Sequence, residues 1–262
     1  MTDTVALSVR QFTEAWKVLC ARFPGHARHE EDGVACIFSG SPIAFFNVAF
    51  VMGRDVTAGA LADRARRAAD WAGARGVPWM LVVTQEALAP GVDAPAALDG
   101  GGLAPVMTLT GMLADEVAPL ATVPAGLELE VPRDDAGCAA VVAVNAAAYG
   151  MDLAEGGEVL GHAAFWSDKF PVVGRVGGRA VSCSATFVVD GHRYVAWVAT
   201  EPGEQRKGYA DAAMRRSLEA AAAVHGELPS VLHATDAGKP VYERMGYRTI
   251  AVHPVFMDKQ FL

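Results

Sequence analysis

Apolar and polar positions alternate along this chain with two periods, near 3.6 and near 2, and so mark out helices and strands. Ser8-Val9-Arg10-Gln11 has capping-box spacing, and Phe12, Trp16 and Leu19 follow at i, i+4 and i+7. That pattern predicts a first helix, ended by Pro24-Gly25. Apolar runs at 34–38 and 43–51 predict two strands around the turn Ser39-Gly40-Ser41-Pro42. A helix over 60–74 places Leu61, Ala65, Ala68 and Ala72 on one face and Asp63, Arg64, Arg66, Arg67 and Asp70 on a solvated one. A strand at 79–84, a helical turn at 96–98 and a strand at 103–109 complete the first half.

Residues 117–126, rich in alanine, proline and valine, read as a linker. Beyond it come a strand at 127–131 and a helix capped by Asp134 or Asp135 that runs to Tyr149, with Gly150 as its stop. A second helix is predicted at 158–166. Strands at 171–176, 180–189 and 193–200 follow, joined by Gly177-Gly178 and by the hairpin signal Asp190-Gly191. A long helix over 209–224 turns Met214, Leu218 and Ala221 inward, and a strand covers 230–235. A short helix at 239–245 has Pro240 in its first turn and Gly246 as its stop. The last strand is 247–256, where Pro254 marks a bulge or an edge. Each half ends in the same order (strand, long helix, strand, helical turn, strand), the mark of a duplication. The fold class is α+β, with α and β mixed along the chain, in two domains.

Composition narrows the function classes. The chain has 262 residues, 52% of them hydrophobic, enough for buried cores and against disorder. Residues 1–125 carry 9 basic and 13 acidic side chains and residues 126–262 carry 13 and 17, so each half stands at -4. Neither half is a basic nucleic-acid module, and no polybasic tail appears. Cys20, Cys36, Cys138 and Cys183 are far apart and form no C-x-x-C pair, which points to small core residues in a reduced, cytoplasmic protein. No signal peptide or membrane-spanning run is expected. His26 and His29 read as a solvated loop without enough neighbours for a metal.

The chemistry concentrates between Arg193 and Tyr209. An apolar strand stops at Pro202-Gly203, and Glu204-Gln205-Arg206-Lys207-Gly208 leads into the long helix. A basic, glycine-containing loop before a helix suits a diphosphate, because the first amides of a helix have no internal partner and its dipole favours an anion.

Residues 200–210, T-E-P-G-E-Q-R-K-G-Y-A, resemble the Gln/Arg-x-x-Gly-x-Gly/Ala segment of the GNAT N-acetyltransferases. Residues 234–247, ending Tyr242-Glu243-Arg244-Met245-Gly246-Tyr247, are similar to that family's Tyr-x-x-x-Gly-Phe/Tyr signature. The resemblance spans about 127–256. It implies the acetyl-CoA N-acyltransferase fold, a mixed central sheet flanked by helices, with two such domains in tandem. The first, residues 1–120, would be degenerate, since Met52-Gly53-Arg54-Asp55-Val56-Thr57 holds no phosphate loop. The second, residues 127–262, would bind acetyl-CoA as cosubstrate, without a metal.

By the same resemblance, the diphosphate would lie on the backbone of Gln205, Arg206, Lys207, Gly208, Tyr209 and Ala210. The pantetheine arm would lie on the backbone of Val198, Ala199 and Thr200. Tyr242 would reprotonate the thiolate after direct attack of an amine in a ternary complex. The alternative is an acyl-CoA-binding regulatory protein without turnover. Glu201, Glu155 and Glu158 are candidate bases, with none preferred. His192 stands at the wrong end of its strand, and His233 reads as a core histidine. Phe165, Trp166 and Trp197 are placed either to line the acceptor pocket or to fill the core, and 152–167 would carry acceptor specificity. Asp236 departs from the asparagine many members have there. Partners are acetyl-CoA and a primary amine of a small molecule or peptide, with no nucleic acid and no membrane; the chain would be a monomer or homodimer.

Overall fold

The computed structural model describes residues 2–151 and 157–262. In chain order the elements are α1 (Asp3–Cys20), β1 (Ala27–Glu31), β2 (Val34–Phe38), β3 (Asn47–Val51), α2 (Ala58–Gly73), β4 (Met80–Val82), α3 (Ala94–Asp99) and β5 (Leu103–Ala114). Then follow β6 (Leu127–Glu130), α4 (Asp135–Tyr149), α5 (Gly157–Leu160), β7 (Phe170–Val176), β8 (Arg179–Val189), β9 (His192–Thr200), α6 (Tyr209–His225), β10 (Ser230–Ala234), α7 (Lys239–Arg244) and β11 (Arg248–Asp258).

The chain forms two compact units that interleave along the sequence. Unit 1 holds residues 1–112, 233–239 and 249–262; unit 2 holds 113–232 and 240–248. The final strand, expected with the second domain, is therefore part of unit 1, where it pairs antiparallel with β4 through Val255, Phe256 and Met257.

Unit 1 orders its strands β1-β2-β3-β4-β11-β5. Every residue of β2 and β3 is buried because both faces of the sheet are covered. On one face Leu61, Ala65, Ala68 and Ala72 of α2 meet Cys36, Phe38, Ala49, Val51 and Leu81. On the other, Phe12 of α1 packs edge-on against Phe50 at 5.1 Å. β1 was not anticipated. Its sequence, Ala-Arg-His-Glu-Glu, is half to fully exposed at the rim of the sheet, where charge guards an edge and hides the apolar signal of a strand.

Helix α1 begins six residues earlier than its capping pattern suggests. Thr2 is the cap, its side chain accepting from the Val5 amide. Ser8 is instead turned inward and fully buried. Gly111 of β5 makes room for it, since a Cβ there would lie 2.1 Å from Ser8 Oγ. Pro254 is not on an edge strand, because β11 has a neighbour on each side.

Unit 2 orders its strands β10-β9-β8-β7-β6. Strands β6 to β9 are antiparallel, and β9 and β10 are parallel. Asp134 caps α4 through the Gly137 amide, and Gly150, at φ 66°, ends it in the left-handed conformation. The single helix expected at 158–166 is two short pieces broken at Gly161-His162, with Trp166 Nε1 donating to Leu160 O at 2.7 Å across the break. Helix α6 lies over β8, where Ser217 bonds Ser184 and Thr186 in the buried layer.

Candidate active site

β9 and β10 pair through only three residue couples, ending at Val195 and Leu232. Residues 196–200 therefore run on past the parallel ladder. On the other side β9 stays paired with β8, but the register shifts: Ala185 faces Ala196, and Cys183 faces Ala199. Two residues, Trp197 and Val198, oppose Ser184 alone, which is a bulge on β9. Trp197 sits at φ 60°, costly for a bulky side chain.

The register decides which backbone groups are available. The Glu201 amide donates to Val181 O, and Ala199 lies opposite Cys183. By strict alternation the backbone of Ala199 faces β8, while the N–H and C=O of Val198 and Thr200 face the gap beside β10. Side chains reach both gap-facing carbonyls: Tyr149 Oη donates to Val198 O at 3.3 Å and Gln205 Nε2 to Thr200 O at 3.4 Å. Of the three residues assigned to a pantetheine arm, two offer their backbone to the gap and Ala199 does not.

Beyond Thr200 the chain turns through Pro202–Glu204 into α6. Arg206 (φ 65°) and Gly208 (φ 81°) are left-handed, and α6 starts at Gly208 with no side-chain cap. The first internal bond is from the Ala212 amide to Gly208 O, so the amides of Tyr209, Ala210 and Asp211 precede it. A Cβ on Gly208 would touch only Pro124 Cγ, at 3.6 Å; the backbone twist, not space, is what asks for glycine.

Gln205, Arg206, Lys207 and Gly208 are exposed around this helix start, and Tyr209 is buried. Lys207 Nζ bonds Glu204 at 2.6 Å, and Arg179 bonds both Glu204 and Glu201. Lys207, then Arg179, hold the Glu204 carboxyl below the usual carboxylate range, and Glu204 in turn raises Lys207. An incoming anion at this loop would compete with Glu204 for both cations.

Tyr242 lies on α7, 8% exposed, with its ring 6.1 Å from that of Tyr247. Burial pushes its phenol well above the ordinary value, and the neighbouring Tyr149 and Tyr247 push the same way. Phe165, Trp166 and Trp197 are one cluster, with Trp197 5.2 Å from Trp166 and 6.2 Å from Phe165. The first two are buried, while Trp197 is half-buried in the bulge. Beneath them Lys169 Nζ, without exposure, donates to Phe165 O and Asp168.

Of the candidate bases, Glu201 is engaged by Arg179, and Glu158 is exposed. Glu155, with the rest of 152–156, lies outside the described residues. His192 sits at the hairpin end of β9, away from Thr200. His233 is part of a buried network in unit 1, described below. Asp236 is exposed. The sequence reading passed over Tyr149, which it used only as a helix end. It lies some fifty positions before the gap, and no local pattern links the two. The left-handed conformation of Trp197 is equally invisible in a strand pattern.

Unit 1 repeats the strand–helix arrangement but closes it. After β3, the Val56 amide donates to Ala87 O and the Ala89 amide to Val56 O, so Val56 and Leu88 form a parallel bridge. Thr57 then caps α2 by accepting from the Ala60 amide at 3.3 Å. The helix start that has no side-chain cap in unit 2 has one here. All five tyrosines of the chain, the first being Tyr149, fall in the second half. Among the described residues no His, Cys, Asp and Glu group is arranged to hold a metal, and no helix is long and apolar enough to cross a membrane.

Residues 171–250 match the family model of the acetyltransferase (GNAT) domain. The chain is similar in structure to a GCN5-related N-acetyltransferase from Kribbella flavida, with 19% identity and a TM-score of 0.72 over 98% of this chain and 96% of that one. It is similar to an acetyltransferase of the GNAT family from Novosphingobium aromaticivorans, with 16% identity and a TM-score of 0.57 over 96% of each chain. It also matches a tandem GNAT protein from the clavulanic acid biosynthesis pathway, at 13% identity and a TM-score of 0.54 over 96% of this chain and 94% of that one. No curated protein matches this chain. Residues 171–250 thus match the GNAT domain, and the whole chain shares its fold with these GNAT structures, a tandem GNAT protein among them.

Proposed function

We propose that this GNAT-fold chain transfers an acetyl group from acetyl-CoA to a primary amine, using unit 2 and leaving unit 1 silent. The observation that carries the reading is the uncapped start of α6, set at the end of a strand whose Val198 and Thr200 backbone faces an unpaired gap. The amides of Tyr209, Ala210 and Asp211, with the left-handed Arg206 and Gly208, suit a diphosphate, and Lys207 and Arg206 add charge. The gap-facing groups of Val198 and Thr200 suit the amides of an extended arm, as a strand edge accepts an added strand. On this reading the gap-facing Val198 N–H would bind the oxyanion formed as the amine attacks the thioester. Tyr242 is the proton donor that the sequence signature assigns to the departing thiolate. In unit 1 the Val56–Leu88 bridge and the Thr57 cap stand at the corresponding place after the strand, which supports a single donor site.

Calorimetry with acetyl-CoA, followed by an amine-acceptor screen with free-thiol detection, tests the reading. Saturable binding at one site per chain and thiol release that depends on the amine are expected. Binding without amine-dependent release would leave an acyl-CoA-binding protein instead, and absence of binding would end both readings.

A further inference from the structure

The proton that the sulfur takes is a problem for Tyr242 alone. An ordinary phenol titrates near pH ~10 and an ordinary thiol near ~8.5, so handing a proton from phenol to thiolate is uphill. Burial makes it worse for Tyr242, because the phenolate left behind would be held in apolar surroundings. The donor best matched to the step is a hydroxyl that reaches the gap yet keeps contact with water, through which its phenolate is stabilised and its proton restored.

Tyr149 comes nearer to this than Tyr242: burial, and then Cys183, raise its phenol too, but by less than burial raises Tyr242. Its Oη lies 3.3 Å from Val198 O, a gap-facing atom of the bulge. The residue as a whole is 55% exposed. Its position is held rather than incidental. Tyr149 is the last residue of α4, and the left-handed Gly150 closes the helix with its amide, and that of Met151, donating to Ala146 O. It is also close enough to Tyr242 that its charge would raise that phenol further.

We infer that Tyr149 is a second catalytic tyrosine of this site, the one that delivers the proton to the departing sulfur from the open side of the gap. The inference rests on the acetyl-transfer reading above. In the step, the amine nitrogen forms a bond to the thioester carbon and the carbon–sulfur bond breaks, its electron pair staying on sulfur. The Tyr149 proton passes to that sulfur, and water returns one to the phenolate. The surplus protons of the amine leave to solvent. The hydroxyl turns its single proton from Val198 O to the sulfur.

The test compares Tyr149→Phe with the wild-type full chain, using two donors and the best amine from the acceptor panel. One donor is acetyl-CoA; the other is the acetyl thioester of 5-thio-2-nitrobenzoate, whose thiolate needs no acid to leave. Tyr149→Phe is expected to lower kcat with acetyl-CoA by about 10²-fold and to leave kcat/KM for the aryl thioester within about threefold. Acetyl-CoA affinity by calorimetry should stay within about threefold, since a lost proton donor does not unmake the binding site. Equal losses with both donors would mean a structural role, and wild-type rates with acetyl-CoA would mean none; either overturns the inference. Failure of the wild type itself to bind acetyl-CoA would remove the underlying reading, and is seen before any variant is made.

Discussion

Acidification from pH 7 to pH 5 is expected to destabilise unit 1 by about 2 kcal/mol through the buried imidazole of His253, with a further loss from His233 beside it. Ser8 Oγ lies 3.1 Å from His233 Nε2 and 2.9 Å from His253 Nε2, and Thr84 Oγ1 lies 3.1 Å from His253 Nδ1. Phe12 stacks on His233 at 3.8 Å, and the two imidazoles are 5.0 Å apart. Burial holds His253 down to about 3, and burial with the nearby His253 holds His233 well below its ordinary range.

His253 is thus neutral in the folded chain at pH 5 and His233 is biased the same way, whereas in the unfolded chain both take up protons below about 6.5. The stability they permit is complete above that value and falls as the pH drops from there toward 3. Over about 1.5 pH units at roughly 1.4 kcal/mol per unit, His253 contributes a loss of about 2 kcal/mol by pH 5, and His233 adds to it in the same direction. Urea unfolding at pH 7, 6 and 5 measures it. His253→Gln, which cannot titrate, should lose about 2 kcal/mol less than wild type over the same interval. Equal losses in the two proteins would refute the reasoning. Should that variant fail to fold, NMR titration of the wild-type imidazoles serves, and a midpoint for His253 above pH 5 would refute it as well.

Gly208→Ala is expected to strain the left-handed start of α6 by about 1–2 kcal/mol and to weaken acetyl-CoA binding about 5- to 30-fold in calorimetry. Glu204→Gln should free Lys207, while Arg179 keeps Glu201, and tighten acetyl-CoA binding about two- to fivefold at low salt, the gain vanishing near 1 M salt. Thr57→Ala removes the cap of α2 and should lower the stability of unit 1 by about 1 kcal/mol in urea unfolding, with acetyl-CoA affinity unchanged. Tyr242→Phe should lower kcat with acetyl-CoA by less than Tyr149→Phe does, with binding unchanged, and a larger loss would return the proton-transfer role to Tyr242.

Much of this protein is written locally. Leu61, Ala65, Ala68 and Ala72 repeat at helical spacing and form the buried face of α2, and Gly150 and Gly246 stop their helices where the pattern places them. The loop from Gln205 to Ala210 is legible for the same reason: a strand end, a left-handed glycine and a helix start are neighbours in sequence, and short-range sterics decide their shape. Tertiary structure alone decided what depends on partners far along the chain. A period-2 pattern says that 248–258 is a strand but not which sheet it joins, and it completes unit 1 beside β4. Ser8 looked like a helix cap until His233 and His253, more than 220 positions away, claimed its hydroxyl. Register divides Ala199 from Val198 and Thr200, and the bulge at Trp197 arises only when β8 is laid against β9. The sequence determined where an anion can be held; packing determined which backbone atoms and which tyrosines face it, because side-chain direction and strand register are properties of pairs, not of single segments.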